Sequence, residues 1–410
     1  MIGDSLLEEV TGLVEQPHAI AGSFDERLLE VPTECLVSSM KVHQKYFHVV
    51  GDDGRLLPGF ITVSNIRSKE PARVRAGNER VLRARLADAD FFWNEDRRRR
   101  LETRIEELEG LVFHNKLGSV AAKTRRMAAL ARRLARDTGA DVEECVRAAE
   151  LAKADLVTAM VGEFPELQGI MGRYYAANDG EPEAVARAVE EHYRPRHAGD
   201  ELPSDLTGRI VAVADKIDTL TGIFLTGEEP TGDKDPYALR RSALGLIRIL
   251  VEGRLDLDLA RLIADAAERY REDGIEIAAD SVERAAAFVV DRYPAHYAAS
   301  GFSADEIAAV TATRPERPLD VDQRLRAIAK FRALPAAESL AAANKRIGNI
   351  LRKAEYEGGK VMDFDRLVEP AEIELAELLV RVSSQVSPLV QRGDYGQALE
   401  VLAGFRETVD

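Results

Sequence analysis

From Asn78 onwards the apolar residues of this chain recur every three or four positions, and that spacing commits most of it to helices. Leu82, Leu86, Ala89, Phe92 and Trp93 form one stripe, and Met127, Leu130 and Leu134 form another. Residues so spaced share one face of a helix with 3.6 residues per turn. The pattern predicts a long helix over Asn78 to Glu109, a second over Ala121 to Arg136 and a third over Leu206 to Leu225. Gly139 is placed to end the second, and Asp141 to cap the one after it. Strand signals are confined to the N-terminal part. Tyr46 to Val50 and Gly59 to Ser64, joined by a turn at Asp52-Asp53-Gly54, read as a β-hairpin. Ahead of it, Ser5 to Glu15 reads as a helix, and Thr33 as the N-cap of another over Glu34 to Lys45. The expected class is mainly α and multidomain, with a small α+β N-terminal region.

A length of 410 residues supports two to four domains with their own cores. Residues 1–110 read as the mixed region and 111–253 as a helical domain. Residues 254–317 read as a connecting region of three or four shorter helices, and 318–410 as a second helical module. The stretch Thr226 to Asp235, rich in Gly, Pro and acidic residues, reads as a loop. The two prolines of Arg314-Pro315-Glu316-Arg317-Pro318 mark the best domain boundary. After it, helices are expected over Val321 to Leu334, Ala336 to Tyr356, Pro370 to Gln391 and Tyr395 to Glu407.

Composition narrows the function. No apolar run approaches the ~20 residues of a membrane span, and the N-terminus lacks the features of a signal peptide. With Cys35 and Cys145 alone there is no disulfide framework and no cysteine metal site, so a reducing cytoplasm is the expected setting. The net charge of −15 argues against a nucleic acid covering the whole surface. Its distribution is uneven, however. Residues 321–360 carry nine basic and four acidic side chains, a local excess of five positive charges on a helical pattern. The run Arg97-Arg98-Arg99-Arg100, followed by Glu102, Glu106 and Glu107, reads instead as a solvated helical face laced with ion pairs. No glycine-rich phosphate loop is present, and neither class of synthetase signature is apparent.

Residues 233–244 read Asp-Lys-Asp-Pro-Tyr-Ala-Leu-Arg-Arg-Ser-Ala-Leu. Asp235 suits an N-cap and Pro236 a first helical position, with Arg240 and Arg241 one turn on. This string resembles the Asp-Pro-(Tyr/Phe)-Ala-Leu-Arg-Arg motif of bacterial glycyl-tRNA synthetase beta subunits. Ser38 to Phe47 (SSMKVHQKYF), Gly77-Asn78-Glu79-Arg80-Val81 with Arg85 to Ala89, and Asp200 to Ser204 with Ala214 to Leu220 resemble further blocks of that family. So does Ala341 to Ile347 with Asn349 to Leu351. The family subunit is longer at both ends, so the resemblance implies a central-to-C-terminal portion whose last domain is truncated at Val409-Asp410.

The resemblance also implies that residues 111–253 form a degenerate HD-like helical domain. An active HD site needs histidines and aspartates around one or two divalent ions that activate water. Lys123 falls near the first histidine position. Ala154 stands where the dyad histidine would be, while Asp155 and Asp215 match the two aspartates. His192 and His197 are five residues apart with Pro195 between them, a spacing that does not put both on one helix face. The expectation is no catalytic residue and no bound metal, with the two aspartates paired to Lys or Arg.

Residues 318–410 resemble the helical anticodon-binding domain of arginyl-type synthetases. Asn344, Lys345, Arg346, Asn349, Arg352 and Lys353 would meet tRNA, opposite an expected buried stripe of Ile347, Ile350, Leu351 and Ala354. Cations there would hold phosphates. The anticodons for glycine end in two cytosines, whose amino groups an Asn carbonyl can accept. Arg240 and Arg241 are further RNA candidates, and His43, Lys45 and Tyr46 form a second patch. The implied function is the tRNA-binding, anticodon-recognising beta subunit. Its partners are tRNA(Gly) and a separate alpha subunit in an α2β2 tetramer, with no membrane involved. ATP and magnesium would be used by the alpha subunit, and no cofactor by this chain. The alternatives are a structural scaffold of that complex and an HD-type metal phosphohydrolase, the latter disfavoured by Ala154.

Overall fold

The computed structural model describes residues 4–278, 280–335, 337–353, 364 and 367–403, and its chain is mainly helical. It divides into two compact units. One comprises Met1–Glu228 with Ala266–Ile277, and the other Glu229–Asp265 with Ala278–Asp410.

The first unit opens with α1 (Asp4–Leu13), β1 (His18–Ser23), α2 (Thr33–Ser38), β2 (Phe47–Val50), β3 (Leu56–Ser64) and α3 (Pro71–Asp96). The expected hairpin is β2–β3. A third strand joins it, giving the antiparallel order β1-β3-β2. Gly22 of β1 lies opposite Phe60 of β3, where a Cβ would sit 2.5 Å from the Phe60 ring, so only glycine fits. Leu6 and Val10 of α1 pack on Phe47 to close this small core.

Two local expectations are corrected here. Thr33 is the first helical residue rather than the cap, and the helix widens after Ser38 into a π-helical turn over Ser39–His43. The predicted helix over Asn78 to Glu109 is in fact two elements, α3 and a 3-10 segment over Leu101–Gly110. Asp96 makes the break. Its buried carboxylate accepts from the Ala159 and Met160 amides and pairs with Arg104. Arg104 also donates to the Asp96 carbonyl at 3.0 Å, which turns the chain back on itself.

A short hairpin, β4 (Val112–His114) with β5 (Gly118–Ser119), leads into α4 (Val120–Thr138) and α5 (Val142–Leu151). Then come α6 (Ala159–Glu163), α7 (Ile170–Asn178), α8 (Glu183–Glu191) and α9 (Leu206–Thr226). Gly139 ends α4 in the left-handed region at φ 74°, and the Asp141 side chain accepts from the Glu144 amide to start α5, both as the sequence predicts. Helix α9 is buried on nearly every face, from Ile210 to Phe224, and packs against α4, α5 and α8. A helix apolar all round belongs at the centre of a bundle, and α9 is the axis of this one.

The second unit contains α10 (Leu239–Glu252), the start of α11 (Leu259–Glu272), α12 (Ser281–Val290), α13 (Tyr293–Ala299), α14 (Ala304–Thr311), α15 (Pro318–Arg332), α16 (Ala337–Lys353), α17 (Pro370–Gln391) and α18 (Tyr395–Ala403). The second half of α11 belongs to the first unit. Helix α15 packs on α10, α14 and α18, and α17 packs on α18. The expected helix beginning at Pro236 starts later, at Leu239. Asp235 still serves the helix, because its carboxylate accepts from the amides of Leu239 and Arg240 at 2.8 and 3.0 Å. It does so across a turn that puts Ala238 at φ 52°. Residues 354–356 and 404–407, at the ends of two predicted helices, lie outside the described residues. Among the described residues no helix is long and apolar enough to cross a membrane.

Candidate functional site

Lys123, Asp155 and Asp215 meet in one buried cluster at the centre of the first unit. Lys123 comes from the first turn of α4 and Asp215 from the middle of α9. The Lys123 Nζ donates to the Thr219 hydroxyl at 2.7 Å and to the Asp215 carbonyl at 3.2 Å. The same ammonium pairs with Asp215 Oδ1 and Asp218 Oδ2, each at 3.1 Å. Asp218 is held further by Arg126 Nε at 2.7 Å and by the Tyr270 hydroxyl at 3.1 Å. The Arg126 guanidinium lies 4.0 Å above the Tyr270 ring. Gly222, one turn beyond Asp218, lets Tyr270 approach, since a Cβ there would strike the phenol oxygen.

Four more polar side chains complete the cluster; of these the sequence gives a role only to Lys216, as a partner of the Asp215 and Asp218 carboxylates. Lys153 Nζ pairs with Asp215 Oδ1 at 3.3 Å and sits 3.8 Å from the Tyr193 ring centroid. The His192 ring lies 3.9 Å from that of Tyr193 and is fully buried. Its Nδ1 donates to the Val189 carbonyl at 2.7 Å, and Nε2 has no hydrogen-bond partner. Lys216 reaches the carbonyl of Arg194 at 2.8 Å, rather than a neighbouring carboxylate. Lys153 and Lys216 were visible only as neighbours of Asp155 and Asp215. His192 had been set aside because its partner was sought at His197.

The charges of the cluster follow from burial and pairing. Burial opposes ionisation of Asp215, but Lys123 and Lys153 override it and hold the carboxyl below its ordinary range. Burial pushes the ammoniums of Lys153 and Lys216 down to about 8 against the pull of Asp215. Burial raises Asp155 to about 6, opposed by the amides of Gly169 and Gly172, which donate to its Oδ2. Its Oδ1 is buried without a hydrogen-bond partner. His192 is driven well below its ordinary value by burial, then by Lys153, and so stays neutral.

This chemistry does not fit a divalent ion. The Lys123 ammonium stands between two of the carboxylates and takes the place a cation would need. Among the described residues no group of three or more His, Cys, Asp or Glu is arranged to hold a metal. Lys153 is the nearest thing to a general base, yet it is 5% exposed and shares its carboxylate with Lys123. The arrangement ties α4 to α9 through buried ion pairs.

The RNA candidates lie elsewhere and are open. Asn344, Lys345, Arg346, Asn349, Arg352 and Lys353 are all exposed on α16, and none makes an ion pair among the described residues. The expected burial of Ile347, Ile350 and Leu351 is corrected. They are 46%, 58% and 47% exposed, because α16 packs chiefly on α15 and nothing among the described residues covers its apolar side. Ala354 lies outside the described residues. Arg241 is exposed without a partner, whereas Arg240 is half-buried and donates to the Gly232 carbonyl. In the N-terminal patch His43 is exposed and stacks edge-on against Phe164, Lys45 pairs with Glu9 at 2.8 Å, and Tyr46 is buried. The Arg97–Arg100 run is ion-paired as expected, but the expected helical face is corrected, because the run forms the turn between α3 and the 3-10 segment and its pairs are not spaced i,i+4. Arg98, Arg99 and Arg100 pair with Glu95, Glu107 and Glu102, and Arg97 covers the Trp93 ring.

Residues 1–312 match the family described as glycyl-tRNA synthetase beta subunit. The chain is similar to the glycine–tRNA ligase beta subunit of Janthinobacterium sp. (strain Marseille), with 50% identity over 99% of this chain and 58% of the relative. The same-named protein of Marinobacter nauticus is 49% identical over 100% of this chain and 59% of its own length. That of Pseudomonas aeruginosa (strain UCBPP-PA14) is 50% identical, over 100% and 60%. The chain thus spans somewhat under two thirds of the length of these relatives.

Proposed function

From its membership of the glycyl-tRNA synthetase beta-subunit family, to which this chain belongs, we propose that it binds tRNA(Gly) and recognises the anticodon for a separate catalytic alpha subunit. The alpha subunit would use ATP, magnesium and glycine, and the two chains would assemble as an α2β2 tetramer in the cytoplasm. Residues 111–253 act in this reading as an HD-like domain that has exchanged its metal for lysine. Residues 318–410 act as an anticodon-binding module.

The observation that carries the reading is the state of α16. Its cations Lys345, Arg346, Arg352 and Lys353 have no carboxylate partner among the described residues, although the chain as a whole has fifteen more acidic than basic residues. Unpaired cations on one exposed helix are what a phosphate backbone needs. The test is tRNA(Gly) binding by the chain at two salt concentrations, with a non-cognate tRNA as control. Binding should be tighter for tRNA(Gly) and should weaken steeply with salt, because phosphate contacts release counterions. Charge reversal at Arg346 and Arg352 should reduce both affinity and salt dependence while the fold is kept. The exposed Ile347, Ile350 and Leu351 favour a second reading, a scaffold whose α16 docks protein. Unchanged tRNA binding by the reversed variant would select it.

A further inference from the structure

A second concentration of exposed cations lies on the first half of α3 and the loop before it, where Arg85 reaches Glu163 at 3.7 Å. Residues 67–85 hold seven cations (Arg67, Lys69, Arg73, Arg75, Arg80, Arg83 and Arg85) against two carboxylates, Glu70 and Glu79, a local excess of five. Glu79 is turned away, accepting from the Ser23 amide at 3.0 Å. Asn78 accepts from the Tyr46 hydroxyl at 2.5 Å. These two bonds fix the rotation of α3 on the sheet, with Leu82, Leu86, Ala89 and Trp93 buried beneath it. Arg73, Arg80 and Arg83 are thereby set on the outer face within an arc of about 80°, at about 100° per residue. They span about 15 Å of helix at about 1.5 Å per residue.

Arg80 and Arg83 are exposed and have no ion pair or hydrogen-bond partner among the described residues, and the same holds for Arg67 and Lys69. Arg73 has only an exposed pair with Glu70, a contact of the kind worth little. The contrast with Arg98, Arg99 and Arg100 is direct, since each of those is neutralised by a glutamate of its own segment. Phe91 stands two and three turns further along the same face and is 62% exposed. Free guanidinium groups followed by an open aromatic ring match a polyanion that carries stackable bases.

We propose that the outer face of α3 is a second RNA-binding surface, on which Arg73, Arg80 and Arg83 hold the phosphate backbone. The inference rests on the tRNA-binding reading above but concerns a surface of the other unit, separate from α16. Contacts to phosphate carry no sequence information, so this face adds affinity for any structured RNA and leaves discrimination to α16.

The test is Arg80→Glu/Arg83→Glu in the same chain, measured against tRNA(Gly) and a non-cognate tRNA over a salt series, with the Arg346/Arg352 reversal in parallel. The expected result is a loss of roughly fivefold or more at low salt, equal for both RNAs, and a log–log salt slope smaller by about 1 to 2. Both side chains are exposed, so circular dichroism and thermal midpoint should stay as in the parent. Wild-type affinity and slope in the α3 variant would overturn the inference. The tRNA-binding reading would survive that result if the α16 variant were impaired. No RNA binding by the parent chain at low salt would overturn both.

Discussion

Replacing Lys123 by Met tests whether the buried cluster is held by its charges or only by its shape. The two side chains are similar in length, so the change removes an ammonium and leaves little cavity. Lys123 supplies two of the ion pairs in the cluster, to Asp215 and Asp218, and donates to Thr219 and to the Asp215 carbonyl. Removing one member of a buried pair costs about 3–5 kcal/mol, because the other charge stays enclosed. Each carboxylate keeps a second cation here, Lys153 for Asp215 and Arg126 for Asp218, which places the expected loss near the lower end, about 3 kcal/mol.

Trp93 is the sole tryptophan, lies in the same unit as the cluster and stacks on Tyr175, so its fluorescence follows unfolding of the relevant unit in urea. The loss should also depend on pH. Asp215 is held below its ordinary range by Lys123 and Lys153, so its contribution is present above the unfolded value of 3.8 and fades as pH falls through the folded one. The variant surrenders part of that contribution. The gap between parent and variant should therefore narrow below about pH 4. Adding Asp215→Asn should show a coupling of about 1–3 kcal/mol with Lys123→Met. A loss under about 1 kcal/mol, or additivity within about 0.5 kcal/mol, would refute the electrostatic account.

Asp155→Asn should have the opposite pH signature. The folded carboxyl is raised to about 6 from 3.8, so the native state binds more protons in that window and the parent loses stability as pH rises through it. That penalty is about 3 kcal/mol when complete, at about 1.4 kcal/mol per unit, and the amide does not bear it. Urea titrations at pH 4 and pH 7 should show the variant gaining on the parent, and a constant difference would exclude the effect. Gly172→Ala should lower the thermal midpoint, at a cost of about 1–3 kcal/mol. Its Cβ would meet Val189 Cγ1 at 2.6 Å and Asp155 Oδ2 at 3.1 Å, whereas Gly162→Ala meets nothing within 4 Å and serves as the control.

The helices of the bundle were legible because each carries its own period and caps. Gly139 and Asp141 are punctuation that needs no tertiary context, and α4 ends and α5 begins where they say. The break at Asp96 was not legible. Nothing local distinguishes Asp96 from a surface aspartate, and only Ala159 and Met160, more than sixty residues on, reveal that it faces inward. The buried cluster was half legible for a similar reason. Lys123, Asp155 and Asp215 were found by resemblance to a motif. Lys153 joins from the turn after α5, and His192 and Tyr193 from the loop after α8, through packing that no spacing rule encodes. Ile347, Ile350 and Leu351 fail differently. Their period marks an apolar face correctly, but a period says nothing about whether a partner lies against that face.

The cations of this chain fall into two populations, and the division bears on how an acidic protein meets an acidic ligand. Arg104, Lys123, Arg126 and Lys153 are inside and spend their charge on Asp96, Asp215 and Asp218. They add nothing to the field outside. The remaining field is that of a body with net charge −15, which repels RNA at distances beyond the screening length of about 8–10 Å. On the proposals made above, attraction would be short-ranged and confined to places where exposed cations outnumber carboxylates, such as α16 and the outer face of α3.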